Sequence, residues 1–448
     1  MFQKVLIANR GEIAVRIIQA CRDLGIISVA VYSEADREAL HAQIADDAVC
    51  IGPARAADSY LNMENIISAA LAAGCQAIHP GFGFLSENPD FAELTTQAGL
   101  AFIGPTAATI RLMGDKSEAK RNAIAAGVPV ALGTDGPLRD FDEAIREAER
   151  IGYPVMLKAS SGGGGKGIRV ANSVSELKEA YDSAAAEAVA NFGDGRLYME
   201  KYIANPRHIE VQVIGDSYGS VVHLFERECS VQRRHQKLIE ECPSAFVTPE
   251  LRERMTKAAV DLAKRVGYRN AGTIEFLVDD DRNFYFCEMN TRIQVEHPVT
   301  EQVTGVDLVC EQIRVAAGEP LSFTQDDLTM RGHAIECRIN AEDPSRDFAP
   351  CPGTLVSMHL PGGPGVRMDT AAYQGYKIPP FYDSMIGKLI VYGADRAQAI
   401  ARMRRALAET LFEGVVTGTD YQMHILRSKA FEDARFHVNS IADGDFDY

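Results

Sequence analysis

The first third of the chain alternates short apolar segments with helical patterns. Lys4–Ala8 is predicted as a strand, and Glu12–Leu24 follows it with apolar residues at helical spacing. Ser28–Tyr32 is a second strand-like segment, and the alternation continues beyond residue 100. Alternating strands and helices form a parallel, doubly wound sheet, whose ligands bind at the carboxyl ends of the strands. We therefore predict an N-terminal α/β domain over residues 1–129, with Asn9–Glu12 at its ligand-binding edge.

The rest of the chain changes pattern twice. Residues 130–203 contain two predicted strands, Pro154–Ser160 and Ile168–Ala171, joined by a glycine run and accompanied by helices. Such a small α+β unit can serve as a mobile lid over a site. Residues 204–448 are mainly β, with a few helices. The predicted fold class is thus α/β and α+β, with an N-terminal doubly wound parallel sheet, a mobile lid domain and a mainly β C-terminal domain.

Charge and composition restrict the partners of such a chain. Its 448 residues include 46 Lys and Arg and 62 Asp and Glu, which gives a formal net charge of −16. A nucleic-acid-binding protein would be basic, so we expect no nucleic acid partner. No apolar run reaches the roughly 18 residues of a membrane span, and the N-terminal segment turns polar too early for a secretory signal. The nine cysteines form no CxxC pair, which favours reduced thiols and a cytoplasmic protein.

A glycine-rich segment, Ser160–Gly167, lies between the two predicted lid strands. It does not open a helix, and Lys166 is followed by glycine rather than Ser or Thr, so neither the dinucleotide fingerprint nor the Walker A pattern fits. What remains is a run of bare backbone N–H groups near Lys158, which can close over a polyphosphate. A flexible linker is the alternative, but a linker would not explain a lysine inside an apolar strand.

The strongest constellation of residues is acidic. Two apolar strands flank the polar turn Asp279–Asn283, which predicts an antiparallel hairpin with Glu275 opposite residue 287 or 288. Glu288 and Asn290 share one face of the second strand. Carboxylates opposed across a hairpin repel each other, so their convergence with a carboxamide suits a divalent cation such as Mg²⁺, itself bound by substrate phosphates. The alternative is a solvated strand face with acids placed by chance, which the flanking aromatic residues disfavour.

The segment after the hairpin is predicted to bind an anion and supply a base. Arg292, Gln294 and Glu296 recur with a period of two, and an arginine beside a carboxylate can bind and deprotonate a small anionic acid. The basic run Gln232–Lys237 in an acidic protein is either a solvated surface or a phosphate or bicarbonate pocket. Arg338 lies in a strand-like alternation, and the residues alone leave its role open.

Taken together, these motifs resemble the biotin carboxylase family, and the resemblance spans essentially the whole chain. It rests on Ile7–Ala14, His79–Asn88, Lys158–Gly167, Met199–Tyr202, Gln232–Lys237, Glu288–His297 and Tyr382–Lys388. The resemblance implies an ATP-grasp architecture for the fold described above. It also implies a ligase that phosphorylates bicarbonate with MgATP to carboxyphosphate and then transfers the carboxyl group to N1′ of biotin.

By the same resemblance, the site residues form three sets. The nucleotide set is Lys116, Lys158, Gly164, Gly165, Glu200, Lys201, Tyr202, Ile203, His208, Gln232 and His235, and the metal set, for Mg²⁺ or Mn²⁺, is Glu275, Glu288 and Asn290. The bicarbonate set is Lys237, Arg292, Gln294, Val295 and Glu296. The resemblance makes Glu296 the general base. It also implies that Arg292 assists the transfer to biotin and that Arg338 stabilises the enolate of deprotonated biotin.

The resemblance also implies partners. The chain ends at Tyr448 without a Met-Lys-Met biotinylation sequence, so we expect biotin on a separate biotin carboxyl carrier protein. The family further implies carboxyltransferase subunits and a homodimer. Acetyl-CoA carboxylase, in fatty-acid synthesis, is the expected complex, and another acyl-CoA carboxylase is the alternative. Three positions depart from the common family pattern: Phe82 replaces a tyrosine near the implied biotin pocket, Ser161 a glycine and Gly418 an asparagine.

Three other function classes compete with this one. Another ATP-grasp ligase, joining an acyl phosphate to an amine, would use the same metal and ATP residues, but the set of Arg292, Glu296 and Arg338 favours bicarbonate. A Rossmann dehydrogenase fits the N-terminal pattern, yet the first turn, Asn9–Glu12, lacks the glycines it requires. A non-catalytic nucleotide sensor would not need so many convergent acids and bases.

Overall fold

The computed structural model describes residues 1–160 and 167–446. Its N-terminal part contains strands β1 (Lys4–Ile7), β2 (Ile27–Ser33), β3 (Asp47–Gly52), β4 (Ala77–His79) and β5 (Ala101–Phe102), which pair in parallel in the order β3-β2-β1-β4-β5. Its helices are α1 (Gly11–Asp23), α2 (Leu40–Ile44), α3 (Met63–Ala72), α4 (Pro89–Gln97), α5 (Ala107–Gly114) and α6 (Lys116–Ala125). The predicted parallel, doubly wound sheet is confirmed.

The strand order reverses between β1 and β4, and the segments that follow these two strands meet. The side chain of Asn9, just after β1, donates from Nδ2 to the carbonyl oxygens of Pro80 (2.7 Å) and Phe82 (2.8 Å), just after β4. Ligands of doubly wound sheets bind at such a reversal, because the flanking connections leave in opposite directions and open a crevice. The predicted ligand-binding edge therefore lies at this point.

A small sheet follows, made of β6 (Val155–Ala159), β7 (Ile168–Ala171) and β8 (Leu197–Lys201) in the antiparallel order β7-β6-β8. Two helices accompany it, α7 (Phe141–Ile151) and α8 (Val174–Phe192). Their buried apolar residues, including Leu138, Leu157, Ala184 and Met199, form a core drawn from residues 138–199 alone. This segment therefore packs largely on itself. Residues 161–166 of the predicted glycine segment, which include Ser161, lie outside the described residues.

The C-terminal half is built on one long antiparallel sheet. Its strands, with four short ones outside it, are β9 (Arg207–Gly215), β10 (Val221–Arg233), β11 (Gln236–Cys242), β12 (Asn270–Val278), β13 (Phe284–Asn290), β14 (His333–Asn340), β15 (Glu342–Asp343), β16 (Ala349–Pro350), β17 (Ser357–His359), β18 (Val366–Thr370), β19 (Met385–Gly393) and β20 (Leu411–Glu413). The order in the long sheet is β13-β12-β9-β10-β11-β14-β19-β18, whereas β15 pairs with β16 and β17 with β20. The predicted mainly β character is confirmed.

The helices of this half are α9 (Pro249–Arg265), α10 (His297–Thr304), α11 (Leu308–Ala316), α12 (Arg396–Glu409), α13 (Thr419–Arg427), α14 (Lys429–Glu432) and α15 (Ser440–Asp443). Helix α10 was not predicted. It is short, but Pro298 stands in its first turn and Gly305 ends it with a left-handed φ of 74°, the residue types favoured at those ends. Helix α11 begins at Leu308, because the side chain of Asp307 accepts from the backbone N–H of Cys310 and caps it.

A shared hydrophobic core joins the N-terminal part to the long sheet. Ile13 and Ile17 of α1 are fully or almost fully buried, and they belong to one cluster with Ile293 and Leu308 from the C-terminal half. Burying these side chains removes apolar surface of both parts from water. The docking places the crevice after β1 and β4 next to the segment that links β13 to α10.

Candidate active site

A cleft of about 1110 Å³ is lined by residues from all three sheet-containing parts. Its walls include the predicted residues Lys116, Lys158, Glu200, Lys201, Tyr202, Ile203, His208, Gln232, His235, Lys237, Glu275, Glu288, Asn290, Arg292, Gln294, Val295, Glu296 and Arg338. Gly164 and Gly165 lie outside the described residues. The fold thus brings every described member of the three predicted sets to one cavity, and their individual roles remain predictions.

Charged residues form a row across four adjacent strands. Glu288 of β13 pairs directly with Glu275 of β12, which is one of the two predicted partners, and a β-bulge between Glu275 and Phe276 selects it over Cys287. Glu275 also pairs with Glu210 of β9, which in turn pairs with Arg227 of β10. Directly paired residues project from the same face of a sheet. Three carboxylates and one guanidinium therefore stand side by side.

Arg227 is fully buried and anchors one end of this row. Its guanidinium makes five hydrogen bonds: Nε to Glu210 (2.6 Å), Nη1 to Gln212 (2.8 Å) and Thr300 (3.0 Å), and Nη2 to Thr273 (3.2 Å) and Gln294 (2.7 Å). A buried cation is tolerated only when it is paired and its donors are satisfied. This network fixes the Glu210 and Gln294 side chains. Arg227 was not among the predicted site residues.

Lys237 lies at the centre of the acidic residues. Its Nζ donates to Glu210 at 2.6 Å, to Glu275 at 3.0 Å and to Glu296 at 2.6 Å. Burial disfavours the charge on Lys237, but the three carboxylates raise its pKa well above the usual value. Lys237 therefore stays protonated and holds carboxylates from two strands and one loop together.

His208 adds a second positive charge to this group. Its Nε2 lies 3.2 Å from Glu275 Oε2 and 3.5 Å from Glu210 Oε2. Burial opposes protonation of the ring, but the carboxylate of Glu275 outweighs it and raises the pKa of His208 to about 9. Burial likewise favours a neutral Glu275, yet Lys237 and His208 hold its pKa well below the usual range. At neutral pH, Glu275 is thus an anion.

Glu296 is held between two cations. One oxygen accepts from Lys237, and the other accepts from Arg338 Nη2 at 2.9 Å. Burial alone would raise the pKa of Glu296, but Lys237 and Arg338 outweigh it and keep the pKa below the usual value. Arg338 also donates from Nε to Glu240 at 2.5 Å. Glu296 is therefore an ionised carboxylate, which a general base must be.

The metal set offers hard oxygen ligands of the kind that Mg²⁺ binds. Within the described residues, Glu288 has no hydrogen-bond or ion-pair partner, and its side chain is open to the cleft. Desolvation and the charge of Glu275 raise the pKa of Glu288. His208, Glu210 and Glu275 also bring ligand atoms within 4.8 Å of one another, but Lys237 already neutralises this group. The chemistry of Glu288, with Asn290 and Glu275 beside it, fits a divalent cation.

The segment between β13 and α10 is an irregular loop rather than a strand. Arg292 donates from Nε to Glu87 at 2.8 Å and from Nη2 to Asn290 Oδ1 at 3.1 Å, and the backbone N–H of Thr291 donates to Glu87 at 3.1 Å. Gln294 donates to Glu275 at 2.8 Å. Side-chain hydrogen bonds, rather than strand pairing, therefore hold Arg292 and Gln294 in place, although their spacing of two residues in the sequence resembles a strand. Glu87 was not among the predicted site residues. The only sequence signal for its contact with Arg292 was its position in the His79–Asn88 motif.

The opposite wall of the cleft joins the small sheet to α6. Lys158 donates to Glu200 at 2.6 Å, and Lys120, one turn after Lys116 in α6, donates to the same carboxylate at 3.0 Å. Lys201 donates to the carbonyl oxygens of Gly152 and Tyr153, so its side chain points back into the small sheet. Its neighbours Tyr202 and Ile203 continue the wall, and His235 stands in the tight turn between β10 and β11.

Comparison with known proteins identifies the family. Family models match in order: Biotin carboxylase, N-terminal domain, over residues 1–110; Carbamoyl-phosphate synthase L chain, ATP binding domain, over 115–324; and Biotin carboxylase C-terminal domain over 336–443. A biotin carboxylase of Nostoc sp. is 56% identical over 430 residues, with 96% of both chains covered. The chain belongs to the biotin carboxylase family.

Further relatives carry other names within this family. A pyruvate carboxylase subunit from Methanothermobacter thermautotrophicus is 56% identical over 441 residues, covering 98% of this chain and 90% of that protein. The biotin carboxylase domain dimer of Hydrogenobacter thermophilus 2-oxoglutarate carboxylase, in complex with MgADP, ADP and bicarbonate, superposes with a TM-score of 0.94 at 52% identity, covering 100% of this chain and 99% of that one.

Family membership confirms the predicted resemblance, the ATP-grasp fold and the enzyme class, a ligase that uses ATP, Mg²⁺ and bicarbonate to carboxylate biotin. Nothing in this assignment supports the dehydrogenase or the sensor. None of the helices in residues 1–160 and 167–446 combines the length and apolar character needed to cross a bilayer.

Proposed function

We propose that this chain forms carboxybiotin through carboxyphosphate, with the residue roles given below. The observation that carries the proposal is the placement of Glu296, which accepts from Lys237 at 2.6 Å and from Arg338 at 2.9 Å in the cleft that Glu288 also lines. This arrangement can bind a small anion and remove its proton close to a nucleotide. The similarity to a protein bound to MgADP and bicarbonate supports the assignment.

The nucleotide is assigned to the wall formed by the small sheet, α6 and the β10–β11 turn. Positive charge or hydrogen-bond donors for the phosphates come from Lys116, Lys158, His208 and His235. The proposed set is completed by residues 200–203 and by Gln232. Gly164 and Gly165 belong to the same proposal. Glu275, Glu288 and Asn290 would hold Mg²⁺ or Mn²⁺, which when bound neutralises phosphate charge and orients the transferring phosphoryl group.

In the first step, Glu296 accepts the hydroxyl proton of bicarbonate. The oxygen that loses the proton forms a bond to the γ-phosphorus of ATP, and the bond from that phosphorus to the bridging oxygen breaks and releases ADP. Lys237 and Arg292, with Gln294 and Val295, are assigned to hold bicarbonate in place. Fixed cations are effective here because they are already oriented when negative charge develops.

In the second step, N1′ of biotin forms a bond to the carboxyl carbon of carboxyphosphate, the bond from that carbon to the bridging oxygen breaks, and the released phosphate takes up the proton that N1′ gives up. N1′ must lose its proton, which leaves negative charge on the ureido oxygen. Arg338 is assigned to stabilise that enolate, and Arg292 to assist the transfer. Arg338 is suited to this role because its guanidinium is always charged and already oriented by Glu240 and Glu296.

We also propose three domains, over residues 1–129, 130–203 and 204–448. The separate core of residues 138–199 supports treating the middle segment as a lid. A lid that closes over the cleft would keep water away from carboxyphosphate, which is a labile mixed anhydride.

The proposed partners are a separate biotin carboxyl carrier protein and carboxyltransferase subunits, with the chain itself as a homodimer, as in the domain dimer of the Hydrogenobacter relative. The first candidate complex is acetyl-CoA carboxylase. The second is a pyruvate carboxylase, which the equally similar Methanothermobacter relative favours. A cytoplasmic location is proposed because all nine cysteines are free thiols.

ATP cleavage by the purified chain tests this proposal. We expect phosphate release to require bicarbonate and to rise when free biotin is added, with ¹⁴C from labelled bicarbonate recovered in carboxybiotin. Stimulation by an amino acid or amine, without bicarbonate, would instead indicate the carboxylate–amine ligase. Pull-down with a biotinylated carrier and assay with acetyl-CoA or pyruvate then separates the two candidate complexes.

A further inference from the structure

Lys388 is a fully buried lysine to which the proposed reaction gives no role. It lies in β19 and ends the Tyr382–Lys388 motif. Its Nζ donates to the carbonyl oxygen of Val295 at 2.8 Å and lies 3.2 Å from a carboxylate oxygen of Glu12. Asp369, opposite Lys388 on β18, is 3.9 Å away. An ammonium is buried at a large cost in free energy unless it is paired, so this position calls for an explanation.

The hydrogen bond from Lys388 acts on the peptide that carries Glu296. The carbonyl group of Val295 and the backbone N–H of Glu296 belong to one planar unit. Fixing that carbonyl group therefore fixes the orientation of the peptide plane and limits the directions in which the Glu296 side chain can project. The restraint matters because Val295 lies in the irregular loop before α10, where no strand pairing holds the backbone.

The conformation of Glu296 is consistent with such a restraint. It is the N-cap residue of α10, but its side chain makes no capping hydrogen bond. Asp, Asn, Ser and Thr side chains at an N-cap accept from the backbone N–H groups of the first turn, whereas the longer Glu side chain is not among the preferred caps. Here the side chain turns away from its helix toward Lys237 and Arg338. The direction of this side chain is therefore set by its backbone and by these two cations rather than by a helix cap.

Lys388 also stands next to the residue that binds the other oxygen of Glu296. Arg338 and Lys388 are directly paired across β14 and β19. One strand pair thus supplies both a side-chain contact and a backbone contact to the same loop. Glu12, which is buried, sits in the first turn of α1 and provides the nearest counter-charge to the ammonium.

We propose that Lys388 is a positioning residue that holds the Val295–Glu296 peptide and thereby sets the carboxylate of Glu296 for bicarbonate. This inference rests on the proposed role of Glu296. It assigns Lys388 no contact with substrate and no proton transfer. Its loss is therefore predicted to affect the bicarbonate step selectively.

The test is steady-state ATP cleavage by Lys388→Met, which keeps the length of the side chain and removes the donor. We expect the KM for bicarbonate to rise at least tenfold, with the KM for MgATP within twofold of that of the unaltered protein. Arg404→Met is the control, because Arg404 donates to the carbonyl oxygen of Leu426 at 3.0 Å and neither residue lines the cleft. Both KM values of that variant should be unchanged.

Several outcomes would overturn the inference. A bicarbonate KM within twofold of the unaltered value would do so, and so would equal losses toward bicarbonate and MgATP, which indicate general disorder. If Lys388→Met does not fold, Lys388→Met/Glu12→Leu leaves no buried charge of this pair and is assayed with the same two criteria. Absence of bicarbonate-dependent cleavage in the unaltered protein would instead refute the proposed function, so the two failures are distinguishable.

Discussion

Glu275 and Glu288 are directly paired across β12 and β13, yet their surroundings differ. Glu275 accepts from Lys237 at 3.0 Å and has His208 within 3.2 Å, whereas Glu288 forms no ion pair within the described residues and feels His208 and Lys116 only at longer range. The pKa of Glu275 is accordingly held low, and that of Glu288 is raised by desolvation and by Glu275. The pair therefore contains one compensated and one uncompensated carboxylate, and a divalent cation would remove the imbalance.

We expect Glu288→Gln to have opposite effects on activity and on stability. Removing one anionic ligand should lower metal-dependent ATP turnover at least 100-fold at saturating Mg²⁺. Without metal, removing the like-charge contact should stabilise the fold by about 0.2–1 kcal/mol. ATPase kinetics and urea unfolding in EDTA measure these two effects.

A matched control for this experiment is Glu413→Gln, since Glu413 is an exposed strand residue opposite Ser357, outside the cleft lining. It should leave turnover and stability nearly unchanged. Normal turnover in Glu288→Gln would remove Glu288 from the proposed metal site.

The sequence was sufficient to predict the β12–β13 hairpin, because its signals are local. The polar turn Asp279–Asn283 fixes the register next to the turn, which on its own would place Glu275 opposite Cys287, and a β-bulge between Glu275 and Phe276 shifts the partner to Glu288. The alternation at the N-terminus predicted the parallel sheet for the same reason. Both patterns arise between residues that are close in the sequence, so they can be recognised from one amino-acid sequence alone.

The partners of these residues could not be predicted in this way. Glu87 and Arg292 are 205 positions apart, and Arg227 reaches Thr300 and Gln294 across the sheet. These contacts depend on how β9, β10 and the loop before α10 pack together, which no local period encodes. Helix α10 was missed because eight residues span only about two turns, too few for a helical period to emerge.

Glu296→Gln should abolish bicarbonate-dependent phosphate release while ATP still binds. The amide keeps an oxygen that can accept from Lys237 or Arg338, but it cannot take up a proton. We expect turnover to fall at least 1000-fold and the Kd of MgATP, measured by calorimetry, to change less than threefold. Retention of bicarbonate-dependent turnover would place the base elsewhere.

Arg338→Ala should impair carboxylation of biotin more than bicarbonate-dependent ATP cleavage. The guanidinium is assigned to the biotin enolate, whereas Glu296 keeps its bond to Lys237 in this variant. We expect at least tenfold more loss in carboxybiotin formation, followed with ¹⁴C-bicarbonate, than in phosphate release. Arg396→Ala is the control, because Arg396 forms a similar buried ion pair with Glu241 at 2.7 Å outside the cleft lining. Equal losses of both reactions in Arg338→Ala would argue against a separate role.

Glu240 and Glu241 are consecutive and buried, but their carboxyl groups have opposite pKa shifts. Burial dominates at Glu240 and raises its pKa to about 7, despite the bond from Arg338. At Glu241, burial also acts to raise the pKa, but Arg396 and His333 outweigh it and lower the pKa to about 2. The free energy of unfolding therefore depends on pH in opposite directions at the two sites.

The raised pKa of Glu240 predicts a loss of stability on raising the pH from about 4.5 to 7, because the folded state binds the proton more tightly than the unfolded state. The loss is roughly 3 kcal/mol at most. Glu240→Gln cannot ionise, so its free energy of unfolding should fall less between pH 5 and 8 than that of the unaltered protein.

The stability that Glu241 contributes is present above about pH 4.5 and is lost as the pH falls toward 2. Glu241→Gln should therefore destabilise the protein nearly equally across pH 5–8. Urea unfolding of the ligand-free protein at several pH values measures both slopes, and an unchanged slope in Glu240→Gln would show that this carboxyl group is ionised throughout.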